Sequence, residues 1–595
     1  MIRILGVELS RRGYVLGLRQ PSVVYRLQVP TVLPHESTVG LSQLSTHLGD
    51  QFNTEGVAHQ LAYWTGALQR QCRIPVSPHF VIQKNLHAEK LSHDEFFLVL
   101  PQLWPLATEC ALQGLVKIVN GFSGQSNPLE LGGAIETICQ QLEQFTEPSA
   151  NAYSIWFTAD ALGLPVSRLI QDVLVVGQGV RARWLKSTLT DQTSAIGASL
   201  AHDKLLTAAL LRKSGLPGAV HERAKSPEDA VKIAHRLGYP VVIKPADQEQ
   251  GKGVAADLRT DSQVIQAFEH ALSFSKRILV ERHQAGSTHR LTVLHGQVFR
   301  VTQRIAGGIT GDGVHTIREL VDRRPHQPEQ MTRTRGRANH VLRLDSEALD
   351  LLHQQGRSPD EIPALNEYVR LRRRDNINAG GRNVKWALQD IHPDNIQLAQ
   401  DAANLLRLDV AGVDLIITDI SKSWRDVGAV ICEVNAQPQL GMNTHAEAYP
   451  EFLNSLFPKG AHIPVHLLLC PESAAQDAQW MEALAQKTRV TGVSGRSGLL
   501  VDGVWRGGPF SHGFDAALAL LQNPHVSEAI CLMSFSELMQ FGLPSHRIHS
   551  ASVDASDAWV KSERKLIKTA EMLISPHLVG SDTRIHIGFT SLINK

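Results

Sequence analysis

Two apolar runs late in the chain, 411–418 and 429–434, flank a polar connection rich in Asp, Ser and Lys, the pattern of a strand hairpin. The second run ends Glu433-Val434-Asn435. Side chains alternate along a strand, so Glu433 and Asn435 share one face. Asp414 stands alone in the first run, where an ionised carboxylate is costly without a partner. Three oxygen-bearing side chains on paired strands suit a hard cation such as Mg²⁺, which arrives with phosphates. Strand ends or ion pairs explain Asp414 and Glu433 equally well at this point.

The same reading extends along the chain. Runs 2–7 and 23–29 read as strands, and 57–71, 103–119 and 136–145 as helices. A helix over 203–214 is stopped by Gly215 and Pro217. Ser226 caps the next helix, with Pro227 at its first position and Gly238 beyond its end. A buried strand, 241–245, ends in Lys244-Pro245 and leads into a loop carrying Gln250, Gly251, Lys252, Gly253 and Val254. A helix (261–274), a strand (278–282) and a hairpin about His295-Gly296 follow. Segment 321–382 is unusually basic, with Arg323, Arg324, Arg333, Arg335, Arg337, Arg343, Arg370, Arg372, Arg373 and Arg374 around a helix at 346–355. A helix over 392–408 feeds the hairpin, and a new α/β region begins after Pro458. The expected fold class is α/β and multidomain, in three regions: 1–165, 166–458 and 459–595.

Composition narrows the classes. At 595 residues the chain is long enough for about three or four domains. A net charge of +1 gives no global pull toward nucleic acid or membrane. Six dispersed cysteines without a CxxC pair argue against a zinc ribbon or disulfide framework and fit a reducing cytoplasm. No signal-like start and no apolar run of about 18 residues is found, so neither secretion nor a membrane span is expected. His59 on its amphipathic stretch and the His87-Ala-Glu89 pair read more simply as structural than as ligands. Gly177-Gln-Gly179 reads as a tight turn as readily as a phosphate loop.

Gly251-Lys252-Gly253 between two strands can close over phosphates, because glycine lets backbone N–H groups approach and lysine adds charge. Lys244 at a strand end can reach the same phosphates. Short Gly-Lys loops are also common turns, so it is the order that carries weight: VVIKP, QGKGV, VERH, VDL, EVN. That order resembles the ATP-grasp superfamily. More narrowly, Lys204 in AHDK, His289-Arg290, the GDG at 311–313 with TIREL, NINAGG at 376–381, HPDNI, VAGVDLI and EVNAQPQ look like the cyanophycin synthetases, over about 165–458.

The resemblance implies an ATP-dependent carboxylate–amine ligase with ATP and Mg²⁺ as cofactors. Lys204 and Lys244 would hold phosphates, with Gln250, Gly251, Lys252, Gly253 and Val254 as the loop over them. Glu281 would meet the adenine or ribose, and Asp414, Glu433 and Asn435 would hold the metal. Arg290 and Arg304 would face the reacting carboxylate, and Asn378, Gly380 and Gly381 would shape the acceptor side. Lys204 also reads as a solvated helix charge and Arg304 as a strand-edge charge.

Full-length members of that family carry a second, Mur-ligase-like ATP enzyme with a P-loop. Here no GxxxxGK[ST] occurs, and the stretch after His462-Ile-Pro-Val465 has neither glycine nor lysine where the loop is expected. Region 459–595 therefore reads as a degenerate Mur-like remnant. One ATP site resembles the second type of cyanophycin synthetase, whose substrates are β-aspartyl-arginine dipeptides and the cyanophycin chain. The basic segment would then hold that zwitterionic chain, or be a solvated face. The 56–63 helix keeps one histidine and lacks the acidic partners of the family's primer-making hydrolase site, so no hydrolase is expected. The resemblance also implies a homo-oligomer. A non-polymerising amino-acid ligase and an inactive partner of a full synthetase are the alternatives.

Overall fold

The alternating runs of the chain's middle close into an antiparallel sheet with one dry face. In the computed structural model its strands lie in the order Arg382–Trp386, Gln297–Ile305, Ser287–Leu294, Val410–Ile417, Ala429–Asn435. Leu291, Val293, Val301, Val413, Leu415 and Ile431 project from one side and pack with Leu398, Ala399 and Ala402 of the helix Pro393–Leu405. The intervening residues, charged and polar, project from the other side. The described residues are 1–31, 35–48, 56–85, 93–121, 128–247, 253–323, 342–372, 380–441, 447–471, 478–488, 490–553, 564–579 and 586–587.

A second antiparallel sheet orders Ala255–Leu258, Val241–Pro245, Ile278–Arg282 and His221–Ala224. Val241, Ile243 and Val280 face the helices Pro227–Leu237 and Asp261–Leu272, meeting Ile233 and Phe268. The capping signals act as expected: Ser226 Oγ accepts the Asp229 N–H at 3.2 Å, and Gly238 takes φ 81°. The hairpin turn falls on His295 and Gly296, both at positive φ.

The basic segment is partly a small core of its own. Gly308–Thr310 pairs with Tyr368–Arg370, and Ile309, Ile317, Leu352 and Val369 pack together beside the helix Ser346–Gln354. Arg372 is buried and donates to both Asp345 oxygens at 3.0 and 2.9 Å, while Arg357 pairs with Glu367 and Arg323 with His315. These arginines hold the segment together, so it is not simply a solvated basic face. Arg324, Arg333, Arg335, Arg337, Arg373 and Arg374 lie outside the described residues.

These parts make one compact unit, 188–446; the other combines 1–187 with 447–595. In the latter, Arg3–Arg11, Ser22–Pro30, His93–Pro101 and Val81–Lys84 form an antiparallel sheet. With the helices Val57–Gln71 and Pro105–Asn120 they enclose Trp64. A seven-stranded sheet has Val465–Cys470 inside it, parallel to Ala529–Ser534 and Ser550–Val553. Leu467 and Leu469 join one core and Leu468 another, so this sheet is covered on both faces.

Residues 13–15 help tie the two chain ends into one unit. The Gly13 and Tyr14 N–H groups donate to Phe541 O and Leu543 O at 2.7 and 2.9 Å, and Val15 enters the core with Phe514. Region 459–595, read from sequence as a region apart, thus packs with the start of the chain. Residues 472–477, within the stretch where a P-loop would be expected, lie outside the described residues. No helix among the described residues is long and apolar enough to cross a membrane.

Candidate active site

Register builds the polar face of the five-stranded sheet. Lys385, Thr302, Arg290, Asp414 and Glu433 stand opposite one another across consecutive strands. Arg304 lies two residues from Thr302 and Asn435 two from Glu433, so both share the face. Asp414 is 2% exposed and is gripped on both oxygens: Arg290 Nε pairs with Oδ1, Arg290 Nη2 donates to Oδ2 at 2.8 Å, and Arg304 Nη1 lies 3.4 Å from Oδ2. Burial by itself raises the Asp414 pKa, but the two guanidiniums outweigh it and leave the carboxyl below its ordinary value. Arg290 mirrors this: burial pulls it down, and Asp414 leaves it raised.

Gly412 makes that grip possible. A Cβ there would lie 2.8 Å from Arg290 Nη1 and 2.9 Å from Pro438 Cβ. Asn435 donates its amide to Gly412 O at 3.4 Å, which leaves its Oδ1 as an acceptor beside Glu433. Glu433 has no hydrogen bond or ion pair among the described residues. Two chain oxygens, Glu433 carboxylate and Asn435 Oδ1, therefore fit a Mg²⁺ that takes its remaining ligands from phosphates and water. Asp414, expected as the third donor, is instead committed to Arg290 and Arg304. No group of three or more His, Cys, Asp or Glu suited to a metal occurs among the described residues.

The second sheet contributes a buried cation. Lys244 pairs with Glu281 Oε2, and His221 Nδ1 lies 3.4 Å from the same oxygen. Burial lowers the Lys244 pKa, yet Glu281, with Cys432 and Glu433 farther off, leaves it raised. Burial likewise pushes Glu281 up, and Lys244 and His221 bring it below its ordinary value. The sheets are joined where Ile431 N–H donates to Pro217 O at 2.8 Å.

The remaining expected residues are only partly described. Lys204 starts the helix Lys204–Lys213, half-buried behind its Asp203 cap. Gly253 is buried at φ 70° and Val254 follows it, but Gln250, Gly251 and Lys252 lie outside the described residues. So does Asn378, whereas Gly380 and Gly381 are buried just before the strand Arg382–Trp386. His289 points to the dry side, against Trp386. His59 packs on Phe80.

Two site residues went unread in the sequence. Cys432 is the extra residue of a β-bulge, since Asp414 pairs with Glu433 and Leu415 with Ile431. Burial, with Asp414 and Glu433, pushes its thiol well up, so it is not a nucleophile. His221 stands directly opposite Glu281. Neither a bulge nor a cross-strand partner leaves a signal in local spacing.

An ATP-grasp domain matches residues 199–288, and a RimK-like ATP-grasp domain matches 368–448. The chain is 31% identical over 402 residues to the cyanophycin synthetase of Synechocystis sp., covering 65% of this chain and 45% of that one. It is 30% identical to that of Trichormus variabilis, covering 65% and 44%. The chain thus spans about half the length, or slightly less, of these curated relatives. A bifunctional glutathione-biosynthesis protein of Mannheimia succiniciproducens is 28% identical, covering 57% of this chain and 46% of that one. Among solved structures, a bifunctional glutathione synthetase from Pasteurella multocida overlaps with a TM-score of 0.39 at 23% identity, covering 60% and 53%. The chain therefore carries an ATP-grasp core and is related to the cyanophycin synthetases.

Proposed function

We propose that the polar face of the five-stranded sheet joins a carboxylate to an amine at the cost of ATP, and that the product is cyanophycin built from β-aspartyl-arginine. The observation that carries the reading is the opposition of charge on that face. Two oxygen donors, Glu433 and Asn435, the former without an ion pair among the described residues, stand beside an arginine pair fixed by Asp414, with Lys244 raised nearby. Magnesium, when bound, would neutralise the phosphates. The chain's own residues bind and orient. Lys244, with Lys204 and the 250–254 loop, holds the polyphosphate. Arg290 and Arg304 hold the substrate carboxylate and stabilise negative charge as phosphate is transferred to it. The amine of the incoming dipeptide then attacks the acyl-phosphate carbonyl and expels inorganic phosphate, losing a proton as the amide forms, with Gly380, Gly381 and Asn378 shaping its side of the site. In this reading 166–458 is the catalytic region, and the protein works in the cytoplasm as a homo-oligomer.

The test is a substrate screen with the full chain, ATP and Mg²⁺, reading phosphate release. Turnover that requires β-aspartyl-arginine and yields insoluble polymer is expected. Turnover with free amino acids and a small soluble product would replace the polymerase by a dipeptide ligase, the reading favoured by the match to glutathione-biosynthesis proteins. No turnover with any carboxylate–amine pair would end both.

A further inference from the structure

Glu281 is a carboxylate with little access to water, and it has two partners among the described residues. Its side chain is 8% exposed and that of His221 2%. Lys244 holds it from one neighbouring strand and His221 Nδ1, at 3.4 Å, from the other. A ring nitrogen facing a carboxylate is the donor, so Nδ1 carries the proton. The other nitrogen, Nε2, is buried without a hydrogen-bond partner among the described residues.

This arrangement creates a conflict during nucleotide binding. The ammonium that Lys244 offers to a phosphate is the one that neutralises Glu281. A buried carboxylate stripped of its counter-ion is strongly disfavoured. His221 is the other group within reach.

We propose that His221 is a positioning residue of the nucleotide site, which keeps hold of Glu281 while Lys244 turns to the phosphates and takes up one proton from solvent as it does so. The proposal rests on the reading of Lys244 as a phosphate ligand. The bond from Nδ1–H to the carboxylate persists, the incoming proton goes to Nε2, and the ring becomes the counter-charge that Lys244 was.

The other charges around His221 do not supply that counter-charge. On its own strand Arg223 shares the face but is exposed, and Glu222 points the opposite way to Arg236 of the helix Pro227–Leu237. From the other sheet, Cys432 and Glu433 act on Lys244, and neither is a cation. Proton uptake on binding means that nucleotide affinity falls as pH rises.

Calorimetric titration of Mg·ATP into the full chain, repeated at neutral pH in buffers of different ionisation enthalpy, counts the protons exchanged. The wild-type protein should take up as much as one proton per Mg·ATP bound. H221Q, which keeps a neutral donor toward Glu281, should take up none and bind more weakly, with thermal melting of the free protein confirming that it folds. E281Q, in which no charge is left to compensate, should also take up none. Wild-type binding without proton uptake overturns the proposal, and that buffer series needs no variant. Undiminished uptake in H221Q overturns it as well. Absence of any Mg·ATP binding by the wild-type protein would instead remove the nucleotide reading beneath it.

Discussion

The chain contains two central sheets with opposite uses of their faces. The seven-stranded sheet is largely parallel and buried on both sides; Ala529–Ser534 is buried at every position. The five-stranded sheet is antiparallel, dry on one side, and carries Arg290, Arg304, Asp414, Glu433 and Asn435 on the other. A parallel strand crossed by helices has no face left for chemistry, whereas an antiparallel meander can dedicate one. The difference explains why the candidate site belongs to 188–446 and why the seven-stranded sheet reads as packing.

The sharpest break of this comparison is D414N. It leaves the buried Arg290 without its counter-charge, and loss of about 3–5 kcal/mol is expected from denaturant unfolding of 188–446, together with loss of ATP turnover. Unchanged stability would mean that Asp414 is not committed to the arginines. E433A separates the two roles: turnover should fall by roughly 10²–10³-fold, as for removal of a group that stabilises transferred charge. Its melting temperature should stay near wild type, since Glu433 has no ion pair among the described residues.

L468A makes the reverse test in the seven-stranded sheet. Leu468 is fully buried, so a loss of about 2–5 kcal/mol is expected in unfolding, with turnover per folded molecule unchanged. G412A is milder. Its Cβ would displace Arg290 or Pro438 at a cost of about 1–3 kcal/mol, and its KM for the carboxylate substrate should rise more than its kcat falls.

The smallest effect is that of mild acid. Burial holds His462, His546 and His577 neutral, with pKa values below the ordinary imidazole value of 6.5, and His462 and His546 touch through their Nε2 atoms at 3.2 Å. The unfolded chain binds protons at 6.5 where the folded one does not. Their stabilisation is therefore complete above that pH and declines as pH falls through it. In 188–446, His289 alone among the described residues is shifted this way, and the lowered Asp414 keeps its charge. Hydrogen exchange followed from neutral to mildly acidic pH should thus show 1–187 with 447–595 opening first. Opening of 188–446 first would contradict the assignment.

Much of the local structure was legible in the sequence. The strand 241–245, the Ser226 cap, the Gly238 stop and the hairpin at His295-Gly296 follow from residue types within a few positions. The sharing of one face by Glu433 and Asn435 follows from strand period alone. The basic segment could not be sorted from sequence, because arginines look alike there whether they face water or, like Arg372, hold a carboxylate indoors.

What the sequence determined by itself was therefore several of the strands, such as 241–245, 278–282 and the 411–434 hairpin, with their polar and apolar sides, and the order of motifs that marks an ATP-grasp core. Tertiary structure alone decided what each charge does. Asp414 was open between metal ligand and ion pair until register placed Arg290, 124 residues away in the chain, directly opposite it. The bulge at Cys432, and the pairing that puts His221 on Glu281, are likewise matters of register. Side-chain period is a local property and can be read from neighbours. The partner of a buried charge depends on which strands align, and that alignment is set only when distant apolar faces close on a common core.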